Sequence, residues 1–300
     1  MMSLQSHIAN YTLRRKMKPM PFHLMDPVAL RAAFEEASPT DIPDDITVEK
    51  IDGPAMRGEF HTPQTQADEE CLFFYCHGGA YIFGSPTTHR VLTFALARGL
   101  SMKTFSLDYR LAPEDPFPAA VEDAVAAYEA FLEQGYAPSK IVIGGDSAGG
   151  GLVMALCVAL RARGLPMPSC QILFSPWSDL SVSGGSIDTN EKSDVMFKSI
   201  YIREGAKKVL NGADPTDPLA SPLFADFESF PPTILFASKS EILFDDSARL
   251  VEKFKNAGVE LDVIFERGLA HAWPILVGKV PEAGRACDQA AAFAKRHLGS

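Results

Sequence analysis

The chain has 300 residues, of which 46% are hydrophobic and 22% charged, and its formal net charge is −10 at pH 7. These values are ordinary for a globular protein and exclude disordered and fibrous classes. The acidic balance argues against a phosphate-binding surface, so we expect no nucleic-acid partner. Residues 14–18 hold four basic side chains, and we interpret this stretch as a solvated arm.

The five cysteines are odd in number and lie mostly in or beside apolar segments, which predicts reduced core thiols rather than disulfides. The spacing of cysteines and histidines indicates no metal site. The N-terminus lacks the pattern of a secretory signal, and the longest apolar run, residues 151–160, is too short to span a bilayer. We therefore expect a cytoplasmic protein without stable membrane association.

Short apolar runs alternate with longer helical patterns along most of the chain. A helix is predicted from Pro27 to about Ala37, with Asp26 as its cap. Predicted strands follow at 48–51 and 58–61 as an antiparallel pair, and then at 71–76, 104–108, 141–144, 170–174, 233–237 and 261–265. Predicted helices cover 118–133, 147–163, 246–257 and 281–297. The alternation indicates an α/β fold with a mostly parallel central sheet flanked by helices.

Two stretches depart from this alternation. Residues 1–45 contain the capped helix and a Pro-rich segment after it. Residues 183–222 are polar, with one helical segment around 195–210. Open α/β sheets bind ligands at the carboxyl edge of their strands, so both stretches are interpreted as a lid above that edge. The alternative is that both stretches are surface segments without a function.

The segment from Ile141 to Gly150 carries the strongest chemical signal. Three apolar residues suited to a buried strand lead into Gly-x-Ser-x-Gly, and a helical pattern follows. This context predicts a strand-to-helix turn that exposes the hydroxyl of Ser147 above the sheet as a nucleophile. A glycine-rich turn with an incidental serine is the alternative.

A serine nucleophile needs a base, normally a histidine oriented by a carboxylate. His271 lies on the loop after the last predicted strand, at the same sheet edge as the serine. The other histidines lie before the serine, against the expected chain order, or on the C-terminal helix. A buried structural role is the alternative for His271.

The carboxylate is expected in the loop after the strand at 233–237, where three acids compete. Glu241 lies in the loop itself, whereas Asp245 or Asp246 occupies the expected N-cap of the next helix. We therefore favour Glu241 as the acid, with Asp245 as the alternative.

Attack on a carbonyl produces an oxyanion that needs fixed N–H donors. The amide of Ala148 directly follows the nucleophile, and the loop His77-Gly78-Gly79-Ala80 follows an early strand. The amides of Gly78, Gly79 and Ala148 are therefore predicted to form the oxyanion hole. A plain turn is the alternative for the two glycines.

These residues resemble the hormone-sensitive-lipase-like branch of the α/β-hydrolases, the bacterial family IV esterases. His77-Gly78-Gly79-Ala80 is similar to the family's His-Gly-Gly-Gly signature, and Gly144–Gly150 matches its Gly-Asp-Ser-Ala-Gly-Gly elbow. Segments 109–120, 175–180 and 217–222 are also similar, so the resemblance covers about residues 45–298. It implies the α/β-hydrolase fold, a supporting role for 109–114 beneath the site, a cap built from the N-terminal segment, and homodimers in many members.

Two positions depart from the family pattern. Ala80 replaces the third glycine of the oxyanion loop, which keeps the N–H but narrows the backbone freedom. Glu241 stands where the family usually has aspartate, one methylene longer. The acid assignment is therefore the less specific part of the match.

The sequence as a whole predicts a carboxylic ester hydrolase that acts on short- to medium-chain acyl esters without a cofactor or metal. Residues 1–45 would form the N-terminal part of a cap and 46–300 the catalytic domain, with a cap insertion at about 183–215. The alternatives are a non-catalytic small-molecule receptor on the same fold, or a thioesterase, lactonase or amidase. Residues that either line the substrate pocket or pack in the core are Phe22, Tyr81, Met196, Phe197, Tyr201 and Trp273.

Overall fold

The computed structural model describes residues 2–38, 41–64 and 67–298 of the chain. Its centre is an eight-stranded sheet. The strands are Ile46–Asp52 (β1), Arg57–Pro63 (β2), Asp68–Cys76 (β3), Met102–Leu107 (β4), Ile141–Asp146 (β5), Cys170–Phe174 (β6), Thr233–Ser238 (β7) and Leu261–Glu266 (β8).

The strand order across the sheet is β1-β2-β4-β3-β5-β6-β7-β8. β1 pairs with β2 and β2 with β4 in antiparallel fashion, and all pairs from β4 to β8 are parallel. This confirms the predicted mostly parallel sheet. The carboxyl ends of β3, β5, β6, β7 and β8 consequently meet at one edge, which brings loops from distant parts of the chain together.

Helices cover both faces of the sheet. In chain order they are Leu4–Lys16 (α1), Pro27–Ala37 (α2), Pro86–Leu100 (α3), Ala119–Glu133 (α4), Ala148–Arg163 (α5), Ser186–Thr189 (α6), Ser199–Leu210 (α7), Phe244–Asn256 (α8) and Pro281–His297 (α9). Apolar residues of α4, α5 and α8 bury one sheet face, in a core that includes Val125, Leu156 and Leu250. α3 and α9 bury the other face through residues such as Leu96 and Phe293.

Three helices, α1, α3 and the four-residue α6, are absent from the sequence prediction. The N-cap of α3 is a capping box in which Ser85 pairs with Thr88 instead of the usual Glu or Gln, so its start signal is weak. α1 ends in Arg14, Arg15 and Lys16. The segment 14–18 is thus part of a packed helix and its exit rather than a free arm, although Arg14, Arg15 and Lys16 are exposed to solvent as predicted. Arg14, Arg15 and Lys16 are helical, and Lys18 is half-buried, with its ammonium 2.6 Å from the Asp194 carbonyl oxygen.

Two other helices begin elsewhere than predicted. α7 begins at Ser199 rather than near 195, because the Asp194 carboxylate accepts the amides of Met196 and Phe197 in a preceding turn. α8 begins at Phe244 after the cap residue Leu243, so neither Asp245 nor Asp246 is its N-cap. Within the described ranges, no helix is long and apolar enough to cross a membrane.

Candidate active site

Ser147 lies at the turn between β5 and α5 with φ 52° and ψ −121°. A positive φ is strained for a residue with a side chain, and such strain persists only where the surroundings enforce it. Here the Ser147 amide donates to the Phe174 carbonyl at 2.8 Å, and its own carbonyl accepts from Trp177 at 2.8 Å. The turn leaves the serine partly exposed at the carboxyl edge of the sheet.

The glycines beside Ser147 allow two backbone segments to pass in contact. A Cβ on Gly149 would lie 2.0 Å from the Cys76 carbonyl oxygen and 2.5 Å from that of His77. A Cβ on Gly145 would lie 2.5 Å from the Gly149 backbone. Only glycine fits at either position, so the start of α5 rests directly on the end of β3.

His271 and Glu241 form a buried pair next to this turn. The His271 Nδ1 lies 3.3 Å from the Glu241 Oε2, an ion-pair distance without the alignment of a hydrogen bond. Both side chains are almost fully buried. The His271 Nε2 has no hydrogen-bond partner among the described residues, and His271 lines the same cavity as Ser147.

Ser175 connects the acid to the loop that carries the histidine. Its hydroxyl donates to the Glu241 Oε2 at 2.8 Å and accepts the amide of Ala272 at 3.0 Å. Asp245 instead accepts the Ser186 amide at 2.9 Å. Asp246 accepts the amides of Ser178 and Asp179 at 2.8 and 2.9 Å, so of the three competing acids the structure brings Glu241 to the histidine.

The pKa values of the pair reflect burial and mutual attraction. Burial acts to lower the pKa of His271, but the Glu241 carboxylate outweighs it, so the pKa is raised. Burial raises the pKa of Glu241, against the opposing effects of His271 and Ser175. The carboxylate therefore favours an imidazolium, which is what a general base becomes when it takes a proton.

The oxyanion loop differs from the prediction at one position. The Gly78 amide donates to the Asp146 carboxylate at 2.8 Å, so it is not available to a substrate. Gly79 and Ala80 line the cavity instead. In the described part of the chain, neither of their amides makes a hydrogen bond. The Gly78 amide is therefore not the free donor that the sequence predicted, whereas among the described residues the Ala80 amide is free beside the cavity.

Asp146 fixes this loop from the elbow itself. Besides Gly78, it accepts the Tyr75 hydroxyl at 2.5 Å, and it lies 3.5 Å from the His89 Nε2. Burial raises the pKa of Asp146, but His89 and the two donors outweigh burial and lower it overall. The residue next to Ser147 thus remains an anion that holds the loop 77–80.

The segment that includes Tyr109 supports the loop from below. The Tyr109 hydroxyl donates to the His77 carbonyl at 2.8 Å, and the two rings stack at 4.3 Å. Burial and the neighbouring His89 lower the pKa of His77 to about 3, so its ring is neutral and its Nδ1 donates to the Gly78 carbonyl at 2.7 Å. This agrees with the supporting role that the resemblance implies for 109–114.

A cavity of about 240 Å³ opens above Ser147. Its wall is mainly apolar, and four predicted pocket residues line it: Phe22, Met196, Phe197 and Tyr201. The Phe197 ring lies edge-on to the His271 imidazole at 5.2 Å between centroids. Residues 17–38 and 196–208 together supply nearly half of the residues in this wall.

The other two predicted pocket residues lie in the core. Tyr81 packs between Tyr109 and Trp177, and Trp273 packs against Phe236 with 2% of its surface exposed. The cavity wall includes Trp177 and Ala272 in their place. Ala272, with a left-handed φ of 47°, lines the cavity, whereas the next residue, Trp273, does not.

Three residues with a structural role at the site carry no individual sequence signal. They are Ser175, Trp177 and Asp194. The Asp194 carboxylate also accepts the amide of Ile242, the residue after Glu241, at 2.9 Å. Only the similarity of 175–180 to a family segment points to the first two. Among the described residues, no group of three or more His, Cys, Asp or Glu side chains is arranged to hold a metal ion.

Comparison with known proteins agrees with this geometry. Residues 73–275 match the family model described as alpha/beta hydrolase fold. An acetyl-hydrolase of Streptomyces hygroscopicus is 40% identical over 227 residues, which is 75% of each chain. The crystal structure of EstE5 superposes with a TM-score of 0.94 at 35% identity and covers 99% of this chain and 100% of its own.

A further crystal structure carries the family name. An esterase from the bacterial hormone-sensitive lipase family is 37% identical with a TM-score of 0.92, and 99% of each chain is covered. The chain therefore belongs to the α/β-hydrolase fold family, within the branch of the hormone-sensitive-lipase-like bacterial esterases. It is a carboxylic ester hydrolase.

The contact between α5 and β3 generates a stability prediction. Gly149→Ala forces a methyl group against two backbone carbonyls and should destabilise the fold by about 1–3 kcal/mol or more. Gly284→Ala is the matched control, because its Cβ in α9 meets nothing within 4 Å and should stabilise the helix by roughly 0.5–1 kcal/mol. Urea unfolding of both variants measures the difference, and equal stabilities would contradict the close approach.

Proposed function

We propose that this esterase works through a Ser147-His271-Glu241 triad and a covalent acyl-enzyme. The Ser147 oxygen attacks the ester carbonyl while the His271 Nε2 accepts its proton. The protonated His271 then donates that proton to the departing alcohol. Water, activated by the same imidazole, attacks the acyl-serine and releases the acid. The observation that carries the proposal is the placement of Ser147 and His271 on one cavity, with Glu241 buried beside the imidazole.

The tetrahedral intermediate would be stabilised by the amides of Gly79, Ala80 and Ala148. The first two belong to a loop held by Asp146 through Gly78, which supports fixed donors rather than mobile ones. Ala148 is the first residue of α5, so its amide is one of the free N–H groups at a helix N-terminus. An oxyanion at this point also gains from the positive end of the helix dipole.

The preferred substrates would be esters with short- to medium-chain acyl groups. A mainly apolar cavity of about 240 Å³ supports binding of a small hydrophobic group next to the serine. The acetyl-hydrolase of Streptomyces hygroscopicus is consistent with a short acyl chain.

Residues 1–45 and about 183–215 would act as a cap over the catalytic domain, 46–300. Support comes from Phe22, Phe34 and Tyr201, whose rings cluster with Phe83 beside the oxyanion loop at centroid distances of 4.7 to 6.3 Å. Closure of such a wall would exclude water from the acyl-enzyme.

A thioesterase, lactonase or amidase would use the same catalytic groups. The substrates that are tested therefore have to include thioesters, lactones and amides as well as esters.

We also propose that the protein is cytoplasmic and forms a homodimer. The cysteines Cys71, Cys76, Cys157, Cys170 and Cys287 are buried free thiols, which is consistent with a reducing compartment. A homodimer would be seen directly by sedimentation velocity.

Nucleophile replacement tests the acyl-enzyme. We expect wild type to release p-nitrophenol in a burst from p-nitrophenyl butyrate, and Ser147→Ala to lose at least about 10⁴-fold in kcat. Chain lengths from acetate to laurate, with thioester and lactone analogues, measure the preference. If the wild-type protein binds these compounds but cleaves none of them, a non-catalytic receptor replaces the proposal.

The acid is tested by a matched pair of variants. Glu241→Ala should lower kcat by about 10²–10⁴-fold, because the imidazolium loses its carboxylate. Asp245→Ala loses only an anchor of the 184–186 loop and should retain activity within about tenfold of wild type. Steady-state kinetics on variants with native circular dichroism provide the comparison, and the reverse ranking would assign the acid to Asp245.

The pH dependence follows from the raised pKa of His271. A general base acts when neutral, so kcat/KM should fall as the pH drops through that pKa. Glu241→Gln removes the charge that raises this pKa, and its acidic limb should move to lower pH while the maximal rate falls. Profiles of kcat/KM for both proteins measure the shift. An acidic limb at the same pH in both would mean that Glu241 does not control the base.

A further inference from the structure

The large apolar side chains that protrude into solvent are concentrated in the N-terminal segment. Within the described ranges, the five most exposed come from the first 28 residues: Leu24 at 75%, Leu4 at 72%, Tyr11 and Val28 at 61%, and Ile8 at 58%. Isolated exposed apolar residues are ordinary, but a contiguous group indicates an interaction surface.

Three of these residues and one arginine share a single face of α1. With 3.6 residues per turn, Leu4, Ile8, Tyr11 and Arg15 fall within about 60° of one another around the helix axis. We call these four residues the outer face of α1. On the opposite side, Ala9 and Leu13 pack against the body of the protein. The helix therefore has two apolar faces, of which only the inner one is covered.

The orientation of the helix is fixed by polar contacts on its inner side. The Ser3 and Ser6 hydroxyls donate to the Glu282 carboxylate at 2.9 and 2.8 Å, and the Asn10 side chain donates to the Gly268 carbonyl at 2.6 Å. Because these contacts hold α1 along its length, Leu4, Ile8 and Tyr11 cannot reach the core by rotation of the helix.

The charge of α1 is opposite to that of the protein. The helix carries Arg14, Arg15 and Lys16 in its last turn and no acidic residue, whereas the whole chain has a net charge of −10. Arg14 is used internally, since its guanidinium donates to the carbonyls of Lys192 and Ser193. The Arg15 guanidinium lies 5.3 Å from the centre of the Tyr11 ring, at the end of the apolar stripe.

We propose that the outer face of α1 docks reversibly on an anionic lipid surface. Leucine, isoleucine and tyrosine on one helix face, next to arginine and lysine, match the chemistry of the boundary between head groups and acyl chains. The basic residues add attraction to anionic head groups. This contact differs from membrane insertion, because the anchored helix lies on the surface.

A second copy of the chain fits this face less well. A symmetric contact through α1 would pair two helices that each carry a basic last turn and no acidic residue, so neither helix offers a charge partner to the other. An anionic lipid surface does offer such a partner. The exposed Leu24 and Val28 lie in the next segment of the chain, which also supplies Phe22, Leu30 and Phe34 to the cavity wall.

Co-flotation with vesicles tests the proposal. The probes are vesicles of phosphatidylcholine alone and of phosphatidylcholine with about one third phosphatidylglycerol. Wild type should float with the anionic vesicles, and binding should weaken with added salt and on pure phosphatidylcholine. Leu4→Gln/Ile8→Gln/Tyr11→Gln should reduce the bound fraction by at least about tenfold, and Arg15→Gln/Lys16→Gln should abolish the preference for anionic vesicles. Ile200→Gln/Phe224→Gln/Val263→Gln is the control, since it removes three exposed apolar side chains elsewhere.

The outcomes separate this proposal from the catalytic one. Ser147→Ala should bind vesicles like wild type, and the α1 triple variant should hydrolyse soluble p-nitrophenyl butyrate like wild type, because none of its changes lies in the cavity wall. No wild-type binding to anionic vesicles, or equal binding by the triple variant and wild type, overturns the proposal. So does a wild-type dimer that becomes a monomer in the triple variant without vesicle binding, which would assign the face to a second copy.

Discussion

The site depends on one backbone contact, the approach of the start of α5 to the end of β3. Gly149 has no Cβ, so its backbone rests on the carbonyl groups of Cys76 and His77. The strained φ of Ser147 is a consequence, because the chain has to reverse within a single residue between β5 and this contact. The buried sheet supplies the stability that holds the strain. A looser turn would leave the serine at the same edge but with no fixed direction.

The same contact links the nucleophile to the oxyanion loop. The loop continues from the end of β3, and Asp146 is the last residue of β5, so the parallel neighbours β3 and β5 present them side by side. The Asp146 carboxylate then accepts the Gly78 amide. Ser147 and the loop that holds the proposed oxyanion donors are therefore positioned by adjacent strand ends, and a shift of one would move the other.

The sequence predicts those parts of the structure whose signals are local. Apolar runs bounded by turns predicted the strands, and the glycine spacing at Ser147 predicted the elbow. The fate of the Gly78 amide is decided by a carboxylate 68 positions later, so the exchange of Gly78 for Ala80 follows no local pattern. Tyr81 and Trp273 could not be placed from the sequence for a similar reason. The sequence around an aromatic residue beside a catalytic motif is the same whether its side chain faces the cavity or the core. α1 was missed because its apolar residues lie on two opposite faces rather than one.

The proposed role of Glu241 as the acid is consistent with its surroundings. The longer side chain of Glu241 reaches His271 from a loop whose backbone is fixed by Asp194 at Ile242. Its Oε2 is shared between Ser175 and His271, and its buried Oε1 has no hydrogen-bond partner among the described residues. A buried carboxylate with few hydrogen-bond donors is poorly compensated for its lost hydration. This lowers the stability of the resting protein. The same lack of compensation strengthens its attraction to an imidazolium, so in the proposed mechanism the buried charge would act most strongly when His271 holds the proton of the serine.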